Sequence, residues 1–253
     1  MSSSKPQIVL FPGAWHKPSC FSHIIPKLEA AGYAVRTAQL PSVTDHNPPK
    51  DLNADIATVR STVDEAIGSG NDVVVIPHSW AGIVVGSALT GYSKKEREAK
   101  GEKGGVVRCG YMCAFMAPIG LSLWDAIGQA PPPWWTIKDN ELSILSDSAG
   151  DIFYNDLPAE QRAYWFSQCS RSHSLHTKKA KATDEAWLEI PTSYLFCEDD
   201  QAIPLDKQEF VTSMVKEKGG EVQTTRLKSG HSPFLSHPEE TVEWIRRVAG
   251  EEI

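Results

Sequence analysis

The chain has 253 residues, of which 41% are hydrophobic and 23% are charged. These fractions are typical of soluble globular proteins and exclude a disordered or fibrous chain. The formal net charge of −7, with Lys and Arg scattered along the chain, opposes binding to a phosphate backbone. We therefore expect a single domain over residues 1–253 that binds a small, uncharged molecule and no nucleic acid.

The cysteines and the N-terminal residues bear on cellular location. The five cysteines are odd in number, widely spaced and free of a C-x-x-C pair, which argues against a disulfide framework and a zinc site. The first apolar run spans about five residues, too few for a signal peptide, and no stretch is long enough to cross a membrane. We expect a cytoplasmic protein without a metal, a cofactor or a membrane partner. The oligomeric state stays open, a homodimer included.

Short apolar runs alternate with helical patterns along the chain. The runs predict strands at residues 7–11, 33–39, 72–76, 106–112, 192–197 and 221–227. Apolar residues at helical spacing predict helices at residues 20–31, 51–67, 81–89 and 238–248. This alternation predicts an α/β fold with about six mostly parallel strands and helices on both faces of the sheet.

Two segments interrupt the alternation. Residues 93–105 are rich in Lys, Glu and Gly, and we expect a solvated loop there, the alternative being a patch that binds a partner. About 75 residues separate the fourth predicted strand from the fifth, far more than a crossover between parallel strands needs. We expect this stretch to form an inserted helical cap over approximately residues 116–188.

A serine directly follows the third predicted strand. Ser79 lies between the buried strand at 72–76 and an apolar helix at 81–89, which is the strand-turn-helix context of a nucleophile elbow. Small residues are needed two positions before and after such a serine, and this chain has Pro77 and Ala81 there. The fixed φ of proline suits the end of a strand. We predict that Ser79 is a nucleophile, the alternative being a helix cap.

A histidine and a group of acids follow the last two predicted strands. His231 lies in a Gly-His-Ser-Pro loop where a general base is expected, although a lone loop histidine is often a surface residue. Asp200 is the third of three consecutive acids and lies four residues before Pro204. This D-x-x-x-P spacing after a strand is found in many serine hydrolases. A carboxylate there would accept the N–H of His231 and select its tautomer. We assign the acid to Asp200, with Asp199 as the alternative.

The order of these three residues along the chain is informative. Serine, then acid, then histidine is the order of α/β-hydrolases and differs from that of other serine hydrolases. An oxyanion hole, which binds the charged oxygen of a tetrahedral intermediate, would then use the backbone N–H of Trp80. Its second donor would come from the loop after the first strand, where we expect the N–H of Ala14.

Five segments resemble the branch of the α/β-hydrolase superfamily that contains plant methylesterases, hydroxynitrile lyases and related bacterial and fungal esterases. They are FPGAWHKPSCF, PHSWAG, YMCAFMAPIGLSL, CEDDQAIP and GHSPFLSHPEE, and they are spread over nearly the whole chain. Relatives usually have His-Gly-Ala where this chain has Pro12, Gly13 and Ala14, and glycine in place of Pro77. The resemblance implies the α/β-hydrolase fold and a serine hydrolase.

The resemblance also separates reaction types. Members that cleave cyanohydrins carry a threonine where this chain has Gly13, and a lysine after the catalytic histidine, where this chain has Ser232. We therefore expect hydrolysis of a small apolar ester or lactone. A lyase, a cyclising enzyme or an acyltransferase on the same residues remains an alternative, as does a ligand-binding protein without catalysis.

The predicted cap is rich in aromatic residues. Most of them are needed to pack the cap onto the sheet, while a few would line an apolar pocket. We predict Trp15, Phe115 and Trp124 as pocket residues because they are nearest in sequence to the predicted catalytic loops.

Overall fold

The computed structural model describes residues 5–253. Its strands are β1 (Gln7–Phe11), β2 (Val35–Thr37), β3 (Asp72–Pro77), β4 (Gly105–Met112), β5 (Trp135–Lys138), β6 (Leu142–Leu145), β7 (Ser172–Ser174), β8 (Thr192–Cys197) and β9 (Val222–Leu227). Its α-helices are α1 (Ile25–Ala30), α2 (Asn53–Ile67), α3 (Ala81–Ala88), α4 (Lys94–Ala99), α5 (Leu123–Ala126), α6 (Ala149–Phe153), α7 (Ala159–Gln168), α8 (Leu175–Lys179), α9 (Leu205–Glu217), α10 (Pro233–Ser236) and α11 (Pro238–Val248).

A six-stranded sheet with the order β2-β1-β3-β4-β8-β9 is the centre of the fold. All of its strand pairs are parallel. Two neighbouring residues of β4 contact different helices. Gly110 lies against Trp244 of α11, and Tyr111 lies beside Gly86 of α3. Side chains alternate between the faces of a strand, so helices cover both faces. The predicted α/β fold with a six-stranded sheet is confirmed.

The helices differ from the predicted ones mainly near the N-terminus. The helix expected at residues 20–31 is replaced by a 3₁₀ helix, Pro18–Phe21, followed by α1. Pro26 lies at the start of α1, and because proline has no N–H it favours a helix start over a helix interior. Among residues 5–253, no helix is long and apolar enough to cross a membrane.

The charged segment 93–105 is not a loop throughout, so that prediction was wrong in part. It contains α4, and Ser93 caps this helix by accepting the backbone N–H of Glu96 at 3.2 Å. A serine three residues before a glutamate is a known signal for a helix start. The helix stays at the surface, since none of its residues is buried.

Residues 113–191, between β4 and β8, form what we call the inserted segment. It contains helices α5 to α8, but it is not purely helical as predicted, because β5, β6 and β7 form an antiparallel sheet. The turn between β5 and β6 contains Asp139 and Asn140, both with positive φ, 53° and 56°. Asp and Asn tolerate this conformation better than most residues. The pair is a weaker hairpin signal than Asn-Gly or Asp-Gly, which explains why the hairpin was missed.

The turn between β3 and α3 is sharp and closely packed. Ser79 has a φ of 53°, in the left-handed region that few residues other than glycine adopt. At the second residue of α3, a Cβ on Gly82 would lie 2.1 Å from the carbonyl oxygen of Phe115 and 3.1 Å from Cβ of Ala114. The backbone after β4 therefore leaves no room for a side chain at position 82.

We predict that Gly82→Ala destabilises the protein. The new methyl group would meet backbone atoms that cannot rotate away, so the free energy of unfolding should fall by about 1 to 3 kcal/mol in urea denaturation. Gly86→Ala, in the same helix, is the control. Its Cβ would lie no closer than 3.4 Å to its neighbours, and alanine should add up to about 1 kcal/mol of helix propensity. Equal stability of the Gly82 variant and the wild type would contradict the steric argument.

Candidate active site

The three residues predicted to form a catalytic triad lie in contact at one edge of the sheet. Ser79 follows β3, Asp200 follows β8 and His231 follows β9. The Oγ atom of Ser79 is 3.1 Å from Nε2 of His231, and Nδ1 of His231 is 2.7 Å from Oδ2 of Asp200. Parallel strands end at the same edge of a sheet, which brings together residues that are distant in sequence.

The structure distinguishes between the two candidate acids. Asp200 has a fully buried side chain, and its Oδ1 atom accepts the N–H groups of Ala202 at 2.7 Å and Ile203 at 2.9 Å. These bonds leave Oδ2 directed at His231. Asp199 is exposed to solvent. Of the two, Asp200 is therefore the one in contact with the histidine.

Two buried side chains hold the backbone of His231. Nε2 of His78 donates a hydrogen bond to the carbonyl oxygen of His231 at 2.8 Å, and Sγ of Cys113 donates to the same oxygen at 3.4 Å. The possible metal-ligating atoms of these three residues lie within 4.8 Å of one another. However, burial lowers the pKa of His78, so it is a neutral donor, and the ring of His231 is engaged by Ser79 and Asp200. We interpret the cluster as support for His231.

The inserted segment contacts the two loops that carry the acid and the histidine. Oδ2 of Asp156 accepts the N–H of Gly230 at 2.6 Å, and Nδ2 of Asn155 donates to the carbonyl oxygen of Asp199 at 2.9 Å. A Cβ on Gly230 would lie 2.2 Å from Oδ1 of Asn155. A side chain at position 230 would therefore displace the side chains of Asn155 and Asp156 from these contacts. Sequence reasoning missed both contacts, because Asn155 and Asp156 carry no motif.

The loop after β1 lies directly against Ser79. A Cβ on Gly13 would lie 2.9 Å from Cβ of Ser79, so a side chain at this position does not fit. Ala14 and Trp80 line the cavity beside the serine. Within the described chain, neither of their backbone N–H groups has an acceptor. Both groups are therefore available to donate to a ligand that reaches the serine.

A chain of buried hydrogen bonds lies behind Ala14. Nδ1 of His16 donates to the carbonyl oxygen of Ala14 at 2.9 Å, and Nε2 accepts the hydroxyl of Tyr154, whose oxygen is 3.0 Å away. Sγ of Cys169 lies 3.0 Å from the same hydroxyl oxygen. Burial lowers the pKa of His16 from 6.5 to about 4. His16 is therefore neutral at neutral pH, the state in which one ring nitrogen donates and the other accepts.

A mainly apolar cavity of about 320 Å³ opens beside Ser79. Its aromatic lining residues are Trp15, Trp80, Phe115, Trp134, Trp135 and Phe153. Trp15 and Phe115 are thus placed in the cavity wall, as predicted, whereas Trp124 is not. Trp124 packs against Trp135, with ring centroids 6.1 Å apart. The β5–β6 hairpin, which the sequence did not predict, supplies Trp135 to this part of the wall.

The sheet, the serine turn and the residues at the strand ends are those of an α/β hydrolase. The chain belongs to the alpha/beta hydrolase family, whose sequence model matches residues 8–244. It is 34% identical over 252 residues to an alpha/beta hydrolase, nvfD, of Aspergillus novofumigatus, and the match covers 98% of each chain. It is 30% identical over 251 residues to a probable hydrolase of a Phoma species, covering 98% of this chain and 99% of the relative.

Solved structures with the same fold have lower sequence identity. A pyrethroid hydrolase from Sphingobium faniae has a TM-score of 0.77 and 21% identity, covering 96% of this chain and 97% of that chain. Polyneuridine aldehyde esterase has a TM-score of 0.74 and 18% identity, covering 97% and 99%. Tomato methylketone synthase I complexed with 2-tridecanone has a TM-score of 0.73 and 14% identity, covering 97% and 98%. These likenesses confirm the predicted fold, and activity has to be argued from the site.

The low pKa of His16 predicts a dependence of stability on pH. With a pKa of 6.5 in the unfolded chain and about 4 in the folded protein, the unfolded state binds the proton more readily between these values. Neutral His16 therefore contributes to stability above pH 6.5. Roughly 3 kcal/mol of the free energy of unfolding is lost as the pH falls from there through the pKa of His16 in the folded protein.

Urea denaturation of the wild type and of His16→Gln, from about pH 7 to about pH 4, measures this loss. Glutamine keeps a donor and an acceptor but does not titrate, so its stability should fall less. The pKa of Asp55 is raised by burial to about 6. Because Asp55 titrates in both proteins, its effect cancels when their losses of stability are compared. Equal losses of stability in both proteins would show that the pKa of His16 in the folded protein is close to its ordinary value, which contradicts the prediction.

Proposed function

We propose that the protein is a serine hydrolase that cleaves a small, uncharged ester or lactone through an acyl-enzyme on Ser79. The observation that carries the proposal is the continuous set of contacts from Ser79 through His231 to Asp200 beside an apolar cavity. Relatives named as hydrolases and as an esterase support the same class of reaction.

His231 acts as the general base in the proposed mechanism. Its Nε2 atom takes the proton from Oγ of Ser79 while this oxygen attacks the carbonyl carbon of the substrate. Nδ1–H of the histidine donates to Asp200, which selects the reactive tautomer and stabilises the imidazolium that forms. The two backbone N–H groups on the other oxygen of Asp200 hold the carboxylate in this orientation.

The oxyanion hole consists of the backbone N–H groups of Ala14 and Trp80 in this proposal. They donate to the carbonyl oxygen as it becomes negatively charged, and no reorganisation is needed at that moment. His231 then protonates the leaving oxygen, which departs as an alcohol or, in a lactone, stays attached to the acyl group. Water attacks the acyl-enzyme with His231 again as base, and Ser79 is regenerated.

The cavity favours a substrate with a bulky apolar part, and the inserted segment acts as its cap. Trp134, Trp135 and Phe153 of this segment form part of the wall, and burial against them gains about 25 cal/mol per Å² of apolar surface. A charged acyl group would lose its hydration without an equivalent partner. Relatives named for pyrethroids, or complexed with 2-tridecanone, are in keeping with such a substrate.

Hydrolysis is favoured over cyanide release by two positions. Gly13 has no hydroxyl. A Cβ at this position would lie 2.9 Å from Cβ of Ser79, which leaves no room for threonine. Ser232, which follows the histidine, has no positive charge to stabilise a departing cyanide. A tetrahedral oxyanion, in contrast, meets the N–H groups of Ala14 and Trp80.

A panel of apolar p-nitrophenyl esters, methyl esters, lactones and mandelonitrile tests the proposal. We expect hydrolysis of at least one ester or lactone and no cyanide release. Ser79→Ala or His231→Ala should lower kcat by about 1,000-fold or more, and the double variant should be little worse than either single one, because the residues act as a unit. Initial rates of the folded variants measure these effects.

The panel also identifies the alternative functions. Cleavage of mandelonitrile that depends on Ser79, without activity on any ester or lactone, would assign a lyase. Formation of a cyclised or transferred acyl product in place of the free acid would assign an acyltransferase. Binding of the apolar compounds without any turnover would assign a ligand-binding protein.

The assignment of the acid predicts different effects at two adjacent positions. Asp200→Asn should lower kcat by about 10,000-fold, because an amide favours the wrong tautomer of His231. Asp199→Asn is the matched control, and since that side chain is exposed its kcat should stay within about twofold of the wild type. A loss at Asp199 as large as that at Asp200 would contradict the assignment.

A further inference from the structure

A lysine lies buried behind the cavity wall, and the proposed mechanism gives it no role. Lys178, in α8, is 0% exposed, and its Nζ atom has no hydrogen-bond partner among residues 5–253. Burial of such a group is costly unless other interactions compensate. The surroundings of the lysine therefore indicate what it does.

Three indole rings surround the end of this side chain. Nζ of Lys178 is 3.8 Å from the ring centroid of Trp15, 5.5 Å from that of Trp80 and 6.0 Å from that of Trp135. These are the distances of cation–π interactions. All three tryptophans also line the cavity beside Ser79.

Two buried titratable groups interact electrostatically with the lysine. Burial lowers the pKa of Lys178, and the charge of Asp55 opposes this effect. Asp55 is itself buried, and it accepts the N–H of Ser42 at 2.8 Å. The second group, His173, is buried too, and its ring lies 5.4 Å from that of Trp80. Asp55 therefore favours the protonated form of Lys178 but offsets the effect of burial only in part.

Trp15 has a backbone conformation that must be held by its surroundings. Its φ is 63°, which a bulky residue rarely adopts without strong support. The inserted segment supplies this support: Nε1 of Trp15 donates to the carbonyl oxygen of Ser143 at 3.1 Å, and its carbonyl oxygen accepts the N–H of Ser170 at 2.8 Å. Lys178 adds a contact on the face of the indole. Because Trp15 directly follows Ala14, these contacts also fix the position of Ala14.

We propose that Lys178 is a positioning residue for the oxyanion hole, an inference that rests on the function proposed above. The lysine packs on the indole next to Ala14 and also faces the indole of Trp80, so one side chain restrains both donor residues. Restraint of both donors keeps their N–H groups at the spacing that a tetrahedral oxyanion requires.

Binding of a transition-state analogue separates this role from a merely structural one. Phenylboronic acid adds to a serine oxygen and forms a tetrahedral anion, which resembles the transition state and requires the oxyanion hole. Toluene occupies an apolar cavity without using those donors. Substitution of a residue that positions the donors should therefore weaken the binding of phenylboronic acid and leave the binding of toluene unchanged.

Lys178→Met keeps the length of the side chain and removes its amino group. We expect phenylboronic acid to bind about tenfold more weakly and kcat to fall about tenfold, with KM and inhibition by toluene within about twofold of the wild type. Lys179→Met is the matched control. Lys179 is exposed, and its Nζ lies 5.0 Å from the ring of Trp124, which does not line the cavity. This control should bind both ligands like the wild type.

The outcomes distinguish the two proposals. If Ser79 of the wild type reacts with neither phenylboronic acid nor a fluorophosphonate, the proposed function fails and this inference fails with it. If the wild type reacts and Lys178→Met shows the same boronate affinity and kcat, the function stands and the inference is overturned. Equal weakening of boronate and toluene binding would also overturn it, since it indicates a structural defect. If Lys178→Met does not fold, Lys178→Gln takes its place in the same measurements, with the same expected losses.

Discussion

The close packing of backbone around Ser79 is the constraint on which the rest of the site depends. The serine has a left-handed φ, and backbone approaches its turn from two sides, at Gly13 and at Gly82, where a Cβ would be 2.9 and 2.1 Å from its nearest neighbour. A strained turn of this kind costs about 1 to 3 kcal/mol and persists only where the surroundings hold it. The buried parallel sheet beneath the turn provides that stability and directs the serine oxygen towards His231.

The inserted segment holds the site from the other side of the cavity. Asn155 and Asp156 bind the loops of the acid and the histidine, while Ser143, Ser170 and Lys178 bind Trp15 beside the proposed oxyanion hole. The same segment supplies much of the cavity wall. In the proposed mechanism, substrate preference and the geometry of the oxyanion hole are therefore coupled, and a substitution that reshapes the wall should also displace the proposed donor groups.

The sheet and the three residues at its edge were predictable because each leaves a local pattern. β3 is a run of apolar residues followed directly by Ser79, and Asp200 and His231 each follow another predicted strand. The cavity wall leaves no such pattern, since it depends on how the segment after β4 folds. The hairpin of β5 and β6 was not predicted, and nearness in sequence to the catalytic loops pointed to Trp124, whereas the structure places Trp135 in the wall.

Two adjacent lysines show why the support of the site was not predictable. Lys178 and Lys179 look alike in the sequence HTKKA, yet one is 0% exposed and the other lies at the surface. A lysine can be buried only where other groups compensate for its lost hydration. Here these are Trp15, Trp80 and Asp55, which come from three distant parts of the chain. No local pattern contains them, so only the tertiary structure separates the two lysines.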